Sequence, residues 1–376
     1  MKFTVSSKEL CTRLMTISRI ITTKGNGNMA ILESILFTLR GGRLELRASD
    51  GDNTVTTFIE TAESEEDGVF AADPKRLIDS LKEIPEQPIT FDVNTETYSI
   101  EVLYLNGHYF FIGLDGTPYP PDDDTIVYSS KLEISNKVLA NGLASTLFAI
   151  GDDAMRPIMN GVFVNATPGM VDMVASDGHK LVRHQFTGIA SQETNSFVLP
   201  KKPAGFLKGI VPADEGGSSI EFSGKKARIM SGSYCLTCSL IEGRYPNYAS
   251  VIPSDNPFVA TIDHQAFTSA VRRVGVFASE SSALISLNFE NNLLTLISND
   301  AEFSTNAEEK IMCDYSGSPI SIGFSGVYLL EVLNNLKGEN ICVKLADSSR
   351  AGVLSPDQQE ENEQVVMILM PLMLNE

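Results

Sequence analysis

The feature that most constrains the fold of this chain is an internal threefold repeat. A segment in which apolar and polar residues alternate, as in a half-buried β-strand, ends three times in a short polar turn that contains an aspartate. These turns lie at Asp50, Asp177 and Asp300, roughly 125 residues apart. A repeat at a nearly fixed interval indicates one structural unit used three times, so we expect the 376-residue chain to form three similar units.

The segments around each turn repeat in the same order. Each turn is preceded by a helix and a strand, and it is followed by a second helix and another strand. The first helices are predicted at 7–21, 135–150 and 263–278, and their N-termini are suited to capping by Ser7, Ser135 and Asp263. The second helices are predicted at 74–84, 201–210 and 325–336. The strands are predicted at 34–39, 161–165 and 284–289 before the turns, and at 88–93, 219–223 and 339–345 after the second helices.

This order predicts an α+β fold of three structurally repeated domains, each with antiparallel sheets and two helices. Stretches rich in Pro and Asp give domains that span residues 1–123, 124–253 and 254–376. Strand edges left free at the two ends of the chain favour pairing between copies, and head-to-tail pairing that closes gives a ring. The subunit contacts are predicted near 70–79 and 104–111 in the first domain, and near 271–277 and 296–303 in the third.

The charge of the chain is unequal overall and unevenly placed. The formal net charge is −19, from 29 Lys and Arg against 48 Asp and Glu, which taken alone argues against a nucleic-acid partner. Nearly half of the basic residues nevertheless fall on the predicted helices, whereas the acidic residues are concentrated elsewhere. Any one amphipathic helix shows Lys and Arg to solvent. The same segregation in three repeats indicates a basic surface that attracts DNA through its phosphates without reading sequence.

Several strings resemble those of the bacterial DNA sliding clamps, the beta subunits of the replicative DNA polymerase III holoenzyme, and the resemblance extends along the whole chain. The most specific strings are ASDGHKL at 175–181 and EGRYPNY at 242–248, supported by MKFTV at 1–5, NG at 160–161, YLLEVL at 328–333 and MPLML at 370–374. The resemblance implies a head-to-tail homodimer whose ring encircles double-stranded DNA as a non-catalytic processivity factor. It also implies an ATP-dependent clamp loader that opens the ring.

The resemblance further implies that partners insert a short peptide into a hydrophobic cleft between the second and third domains. Those partners are the replicative DNA polymerase and other proteins with a clamp-binding motif. The implied cleft residues are Met159, Ser176, Gly178, His179, Lys180, Leu181, Pro246, Val251, Ile368, Leu369, Met370, Pro371 and Leu372. The implied DNA contacts are Lys24, Arg156, Lys201 and Lys202, and the charge pattern adds Arg19, Arg76 and Arg273.

Some positions depart from the family pattern. Ser250 and Met373 stand where some relatives have arginine, and Ser325 stands where asparagine is common. These departures bear on which partner peptides are preferred and not on the fold. The acidic segment at 356–364 is predicted to be the exposed tip of a hairpin.

Motifs that suggest other chemistry have plainer interpretations. Cys235 and Cys238 match C-x-x-C, but no second pair completes a zinc site. His179 beside Asp177 has no nucleophile motif with it, and the three turn aspartates are expected to cap their own turns. The loop at 25–28 lacks the Lys-Ser/Thr of a phosphate loop and is predicted to be a flexible loop facing DNA. The aromatic run at 109–111 is predicted to be a core strand and not a base-stacking platform.

The compartment follows from the cysteines and from the apolar segments. Five cysteines, an odd number in mostly apolar segments, indicate reduced and buried thiols. No segment approaches the roughly 18 apolar residues of a membrane span, and the first residues lack the apolar run of a signal peptide. The sequence therefore predicts a cytoplasmic protein with no membrane partner and no metal or other cofactor.

Two other functions stay open at this point. A repeat-built hydrolase or metal enzyme would use the three aspartate turns, and it would bind a metal or lose activity on Asp177→Ala. A peptide-binding scaffold that never holds DNA would tolerate charge reversal at Lys201 and Lys202. A clamp would retain DNA less well after the same reversal.

Overall fold

The computed structural model describes residues 1–22, 29–121, 126–189, 194–212, 216–300 and 302–374. Within these ranges the chain forms six α-helices, two in each repeat, as the periodicity predicts. None of the helices in the described ranges is long and apolar enough to cross a membrane. The helices are α1 (Ser7–Ile17), α2 (Pro74–Lys82), α3 (Asn136–Thr146), α4 (Lys201–Ile210), α5 (His264–Gly275) and α6 (Gly326–Asn335).

The predicted helix starts agree with the structure at two of three caps. The Asp263 carboxylate caps α5 by accepting from the backbone N–H of Ala266, and Ser135 Oγ accepts from the N–H of Val138 at 3.3 Å in α3. The predicted cap Ser7 is wrong, because the side chain that accepts from the first turn of α1 is that of Ser6. The predicted first helices run too far, and in two repeats short 3-10 helices at Ser18–Ile20 and Leu147–Ala149 replace their last turns.

The strands follow the order that the repeat predicts. In the first repeat they are β1 (Lys2–Ser6), β2 (Ile35–Arg40), β3 (Arg43–Ser49), β4 (Asn53–Glu60), β5 (Glu63–Glu65), β6 (Gly68–Ala72), β7 (Pro88–Val93), β8 (Ser99–Tyr104), β9 (Gly107–Ile112) and β10 (Leu114–Asp115). In the second they are β11 (Ser130–Ser135), β12 (Gly161–Thr167), β13 (Gly169–Ser176), β14 (Lys180–Ile189), β15 (Asn195–Pro200), β16 (Gly217–Phe222), β17 (Lys226–Ser231) and β18 (Tyr234–Ser239). In the third they are β19 (Phe258–Asp263), β20 (Leu284–Glu290), β21 (Leu293–Asp300), β22 (Thr305–Met312), β23 (Asp314–Tyr315), β24 (Ile320–Ser325), β25 (Asn340–Leu345), β26 (Gly352–Pro356) and β27 (Glu363–Leu369).

The first compact unit consists of Met1–Leu139 and Gly205–Leu240. It contains a five-stranded sheet, β5-β1-β7-β8-β9, and a nine-stranded sheet, β10-β6-β2-β3-β4-β18-β17-β16-β11. The larger sheet becomes continuous where β4 of the first repeat pairs antiparallel with β18, the last strand of the second repeat. Helix α1 packs against β3 and β4 and buries its apolar face, which includes Leu10, Leu14 and Ile17.

The second compact unit consists of Ala140–Ala204 and Ile241–Glu376. Its nine-stranded sheet has the order β15-β12-β13-β14-β27-β26-β25-β19-β23, and a four-stranded sheet has the order β22-β21-β20-β24. Here β14 of the second repeat pairs antiparallel with β27, the last strand of the third repeat. The same rule therefore joins repeats in both units, because a fourth-position strand pairs with the last strand of the next repeat.

The three repeated aspartates cap their turns, as predicted. In each turn one carboxylate oxygen accepts hydrogen bonds from the backbone N–H groups two and three residues later. The donors are Asp52 and Asn53 for Asp50, His179 and Lys180 for Asp177, and Glu302 and Phe303 for Asp300. Each carboxylate therefore stabilises its own turn, and the three belong to three different repeats and not to one metal site. No group of His, Cys, Asp and Glu able to hold a metal occurs among the described residues.

Other minor predictions have mixed outcomes. The prediction of a core strand at 109–111 is wrong, because β9 is an edge strand and its Phe110 side chain is 66% exposed. The acidic segment forms the exposed connection between the paired strands β26 and β27, as predicted. The loop at 25–28 lies outside the described residues.

The cysteines are free thiols, and three of the five are buried. Cys235 and Cys342 are only half-buried, so the prediction of buried thiols holds for Cys11, Cys238 and Cys313. Burial raises the pKa of Cys238 to about 12, which keeps that thiol protonated and unreactive near neutral pH.

Candidate functional site

The candidate site is a cavity of about 370 Å³ within the second compact unit. It is enclosed by the Asp177 turn, the end of β27, and two short 3-10 helices at Pro157–Met159 and Tyr248–Val251. Its lining residues are Arg156, Met159, Ser176, Gly178, His179, Lys180, Leu181, Tyr245, Pro246, Asn247, Tyr248, Val251, Ile368 and Met370. The lining is mostly apolar with a few polar groups at the rim, which is the usual character of a binding pocket.

The floor of the cavity is rigid because it belongs to the sheet core. Leu181 on β14 lies directly opposite Ile368 on β27, and both side chains are buried. The Tyr245 ring stacks on Phe163 with centroids 4.6 Å apart, which fixes the adjacent Pro246 at the cavity wall. Met370 follows β27 and remains 48% exposed, so it offers a flexible apolar surface at the mouth.

The wall that carries Val251 is anchored by a buried polar network. The Tyr248 hydroxyl donates to Asp172 Oδ2 at 2.8 Å, and Arg183 Nε donates to Asp172 Oδ1 at 2.9 Å. Asp172 is only 3% exposed, and these two partners satisfy its carboxylate oxygens. Burial and the neighbouring Asp172 carboxylate raise the pKa of Tyr248 to about 12, so its hydroxyl remains a donor. The network therefore fixes the short helix, and with it Val251, against the sheet.

The turn at the rim is tied to helix α6 through Lys180. The ammonium group of Lys180 lies 2.5 Å from Asp177 Oδ2 and 2.9 Å from Glu331 Oε2, and it sits 4.6 Å above the centre of the Tyr328 ring. His179 stacks on the same Tyr328 ring, with centroids 5.1 Å apart. Although burial alone would lower it, the hydrogen bonds to the two carboxylates raise the pKa of Lys180. Lys180 is thus a buried structural cation and not a free surface charge.

The chain matches one family of proteins along almost its entire length. Residues 1–120 match the N-terminal domain of the DNA polymerase III beta subunit, 133–247 its central domain, and 249–370 its C-terminal domain. The chain belongs to the DNA polymerase III beta-subunit family. As a member of this family it is a non-catalytic processivity factor of DNA replication, and the predicted three-domain clamp fold is confirmed.

Individual relatives and structures support the same assignment. The beta sliding clamp of Pseudomonas aeruginosa is 24% identical over 375 residues, with both chains covered completely. That of Synechococcus elongatus is 27% identical over 366 residues, covering 95% of this chain and 96% of the relative. A structure of the P. aeruginosa beta subunit superposes with a TM-score of 0.92 at 23% identity, and a Bartonella birtlesii clamp bound to griselimycin with 0.89 at 24%, each with complete coverage of both chains.

The structure brings most of the predicted cleft residues of this beta subunit together. Three predicted residues do not line the cavity. Ile368 and Met370 line the cavity, and Leu369 between them points to the opposite side of the extended segment, where it is fully buried. Pro371 and Leu372 lie further along the tail, where the N–H of Leu372 donates to the carbonyl oxygen of Gly323 at 2.8 Å. That backbone bond holds the tail against β24.

The predicted DNA residues of this beta subunit lie on several different elements. Arg156 lines the cavity, where its Nε lies 2.8 Å from Asp153 Oδ2. Lys201 and Lys202 are exposed at the start of α4. Arg19 after α1, Arg76 on α2 and Arg273 on α5 are also exposed. Arg273 forms a bidentate ion pair with Glu309. Lys24 lies outside the described residues.

The sequence interpretation missed several residues of the site. Tyr245, Asn247 and Tyr248 belong to the string EGRYPNY, which carried the family resemblance but was not assigned to the cleft beyond Pro246. Glu331 and Tyr328 were also missed, because their contact with Lys180 joins positions about 150 residues apart, and no periodicity predicts such a contact.

Proposed function

We propose that this beta subunit binds short linear peptides of its partners in the cavity at the Asp177 turn. The observation that carries the proposal is the geometry of the cavity. A rigid apolar floor at Leu181 and Ile368 faces an adaptable Met370 at its mouth, and polar groups stand at the rim. Apolar side chains of a peptide fit such a floor, and a methionine wall accommodates different anchors.

The full set of cleft residues is proposed as Met159, Ser176, Gly178, His179, Lys180, Leu181, Pro246, Val251, Ile368, Leu369, Met370, Pro371 and Leu372. Leu369 and Leu372 act in this proposal through the backbone of the tail, which presents Met370. The partners are the replicative DNA polymerase and other proteins with a clamp-binding motif. Griselimycin-bound clamps from P. aeruginosa and B. birtlesii support a ligand-accepting surface in the family.

We also propose that two copies close head-to-tail into a ring. Within each compact unit a fourth-position strand pairs with the last strand of the next repeat, β4 with β18 and β14 with β27. Strands β18 and β27 are each the third strand after the second helix of their repeat, and the strand in that position in the first repeat is β9. Strand β22, the fourth strand of the third repeat, and β9 are left without such a partner, and both are edges of their sheets. Their exposed apolar side chains are Phe110, Ile112 and Met312, at 66%, 73% and 73% exposure. Antiparallel pairing of β22 with β9 of a second copy would cover these edges.

The ring is proposed to encircle double-stranded DNA and to hold it through basic side chains alone. The proposed contacts are Lys24, Arg156, Lys201, Lys202, Arg19, Arg76 and Arg273. Lys201 and Lys202 are the strongest candidates, because they are adjacent and exposed on one helix. Arg156 and Arg273 are weaker candidates for DNA contact, because the guanidinium of each already pairs with a carboxylate of the protein.

The remaining expectations extend this proposal. An ATP-dependent clamp loader would open the ring, since a closed ring cannot pass over intact circular DNA. The domain limits 1–123, 124–253 and 254–376 would then mark six domains in the ring. A cytoplasmic location follows from the role in replication.

The test is retention on DNA after loading with the cognate loader. We expect a dimer that stays on closed circular DNA and slides from the ends of linearised DNA. The double variant Lys201→Glu, Lys202→Glu should leave circles sooner and lose part of its salt dependence, because counterion release scales with phosphate contacts. The matched control is Lys131→Glu on the edge strand β11. Equal loss from both DNA forms, or unchanged retention in the double variant, would instead favour a peptide-binding scaffold.

A further inference from the structure

A second cavity lies in the first compact unit, on the face of its larger sheet that points away from helix α1. The cavity has a volume of about 510 Å³ and is lined by Leu36, Thr38, Arg40, Arg43, Glu45, Arg47, Phe58, Val69, Gly116 and Thr117. On β3 the alternate residues Leu44, Leu46 and Ala48 are buried on the side that packs against α1. Arg43, Glu45 and Arg47 therefore project from the opposite side.

The hairpin between β2 and β3 forces two arginines together. Gly41 and Gly42 form its two-residue turn with positive φ angles of 55° and 83°, which glycine adopts without strain. The register then places Arg40 directly opposite Arg43. Like charges opposite each other on neighbouring strands are destabilising unless a negative charge neutralises them.

The acidic side chains near this cavity neutralise two of its three arginines. Glu45 Oε1 lies 2.9 Å from Arg47 Nη2, and Glu60 Oε1 lies 3.4 Å from Arg43 Nε. Among the described residues, no carboxylate lies within ion-pair distance of Arg40. Three arginines against these two glutamates leave one positive charge, that of Arg40, at the cavity. The Asp67 carboxylate lies at the same turn, where it accepts from the backbone N–H of Gly41 at 2.9 Å.

The aromatic side chain of the cavity is already occupied. The guanidinium carbon of Arg43 sits 3.9 Å above the centre of the Phe58 ring. This contact holds the guanidinium in a defined plane. Its Nε faces Glu60 Oε1 at 3.4 Å, so the two Nη groups are the donors that could form a forked hydrogen bond with a further carboxylate. It also covers the ring face on which a nucleic-acid base would stack. Leu36 and Val69 add an apolar floor beside the charged groups.

DNA held by the ring does not account for this charge. The proposed DNA contacts lie on the helices and their ends, whereas this cavity lies on the sheet face opposite α1. We propose that the cavity binds an acidic peptide segment of a protein partner, independently of the cleft at Asp177. A carboxylate of the segment bridges Arg40 and Arg43, and an adjacent apolar side chain packs on Leu36 and Val69. Recognition of acidic segments by clustered arginines is a known mode of peptide binding.

The test uses the full-length protein and a labelled, end-blocked peptide of alternating aspartate and leucine, read by fluorescence anisotropy. Its matched probe is the asparagine–leucine peptide, which has the same shape and no charge. We expect Arg40→Glu and Arg43→Glu each to weaken binding of the acidic peptide by about tenfold or more, and Arg40→Lys by about threefold, because lysine keeps the charge but loses the fork.

Two controls separate this site from general charge and from the cleft. Lys131→Glu makes the same charge change at an exposed position outside the cavity and should alter binding by less than about twofold. Met370→Asp blocks the cleft and should leave the arginine-dependent binding intact.

The proposal is overturned if Lys131→Glu weakens binding as much as Arg40→Glu does, or if Met370→Asp abolishes it. Equal binding of the asparagine–leucine peptide would remove the charge argument. Tighter, arginine-dependent binding of a short oligothymidylate would assign the cavity to nucleic acid instead. Circular dichroism of each variant establishes that a loss of binding is not a loss of fold.

Discussion

The Asp50 turn and the Asp177 turn have the same backbone design in two repeats, but they are completed by different side chains. In both, the preceding serine accepts from a glycine N–H and donates to the carbonyl oxygen four residues beyond it, and the aspartate caps two N–H groups. The residue that closes the turn is the neutral Asn53 in the first repeat and the charged Lys180 in the second.

This difference determines what each turn can do. The Asn53 amide donates to both carboxylate oxygens of Asp50, so this side chain stays within the first turn. Lys180 has donors to spare and extends to Glu331, which links the second turn to α6. The glycine of each turn differs as well, because Leu32 lies beside Gly51 whereas the guanidinium of Arg156 lies beside Gly178. One backbone motif therefore ends in a neutral side chain that stays within its turn in one repeat, and in a cation that links the turn to α6 at the cleft rim in another.

The largest expected effect tests whether the second turn forms a binding cavity. Met370→Asp places a carboxylate at the mouth of an apolar cavity, where it loses hydration on peptide binding. We expect the affinity for a labelled clamp-binding peptide of the cognate polymerase to fall at least ~100-fold, or about 2.7 kcal/mol. Anisotropy titration measures the change. The matched control is Met230→Asp on β17, a similarly exposed methionine of the other unit. A comparable loss in the control would contradict the assignment of the cavity.

Removing each aspartate in turn sharpens the comparison directly. Asp50→Ala loses two backbone caps, at an expected cost of about 1 to 2 kcal/mol in the free energy of unfolding. Asp177→Ala loses the same two caps and also leaves the buried Lys180 with one carboxylate partner, so we expect about 1 kcal/mol more. Chemical denaturation of both variants measures the difference. Equal destabilisation would mean that Lys180 adds nothing to the second turn.

Most of the fold could be predicted because the same order of helices and strands occurs in all three repeats, so each repeat supports the assignment of the others. The strand at 88–93 and the helix at 201–210 agree with β7 and α4 residue for residue. Helix ends were less predictable, since the choice between α-helix and 3-10 helix after Ile17 depends on local packing and not on periodicity. The exposure of Phe110 could not be read from the sequence, because an edge strand with a free apolar face has the same pattern as a core strand.

The site was predicted less completely, for a physical reason. Residues of one short string, such as Gly178 and Leu181 in ASDGHKL at 175–181, line the cleft together and could be assigned together. Arg156 was assigned to DNA by the family resemblance, and the structure places it in the lining of the cleft, where its guanidinium pairs with Asp153. Asp172 gave no signal, since a buried carboxylate is recognisable only from the partners that surround it.

A smaller effect tests the cavity wall formed by the short helix Tyr248–Val251, which lies beside the Asp177 turn. Tyr248→Phe keeps the ring but removes the hydroxyl that donates to Asp172. We expect about fivefold weaker peptide binding, because the loss of one hydrogen bond, worth about 1 kcal/mol, loosens the helix that carries Val251. Tyr109→Phe on β9 serves as the matched control. If the peptide dissociates no faster from Tyr248→Phe than from the wild type, the network does not position the wall.

The smallest effect is the pH dependence of the second turn. Burial alone would raise the pKa of Asp177, but hydrogen bonds from the Lys180 side chain and from two backbone N–H groups lower it. A carboxyl whose pKa is lower in the folded state stabilises the fold above its unfolded pKa of about 3.9, and that stability is lost as the pH falls through the folded value. The stability gap between the wild type and Asp177→Asn should therefore be constant from neutral pH to about 5 and narrow below about 4. Urea denaturation across this range measures the gap. A gap that closes near pH 6 would point to a histidine, and one that persists in strong acid would show that the Lys180–Asp177 ion pair does not distinguish the second turn from the first.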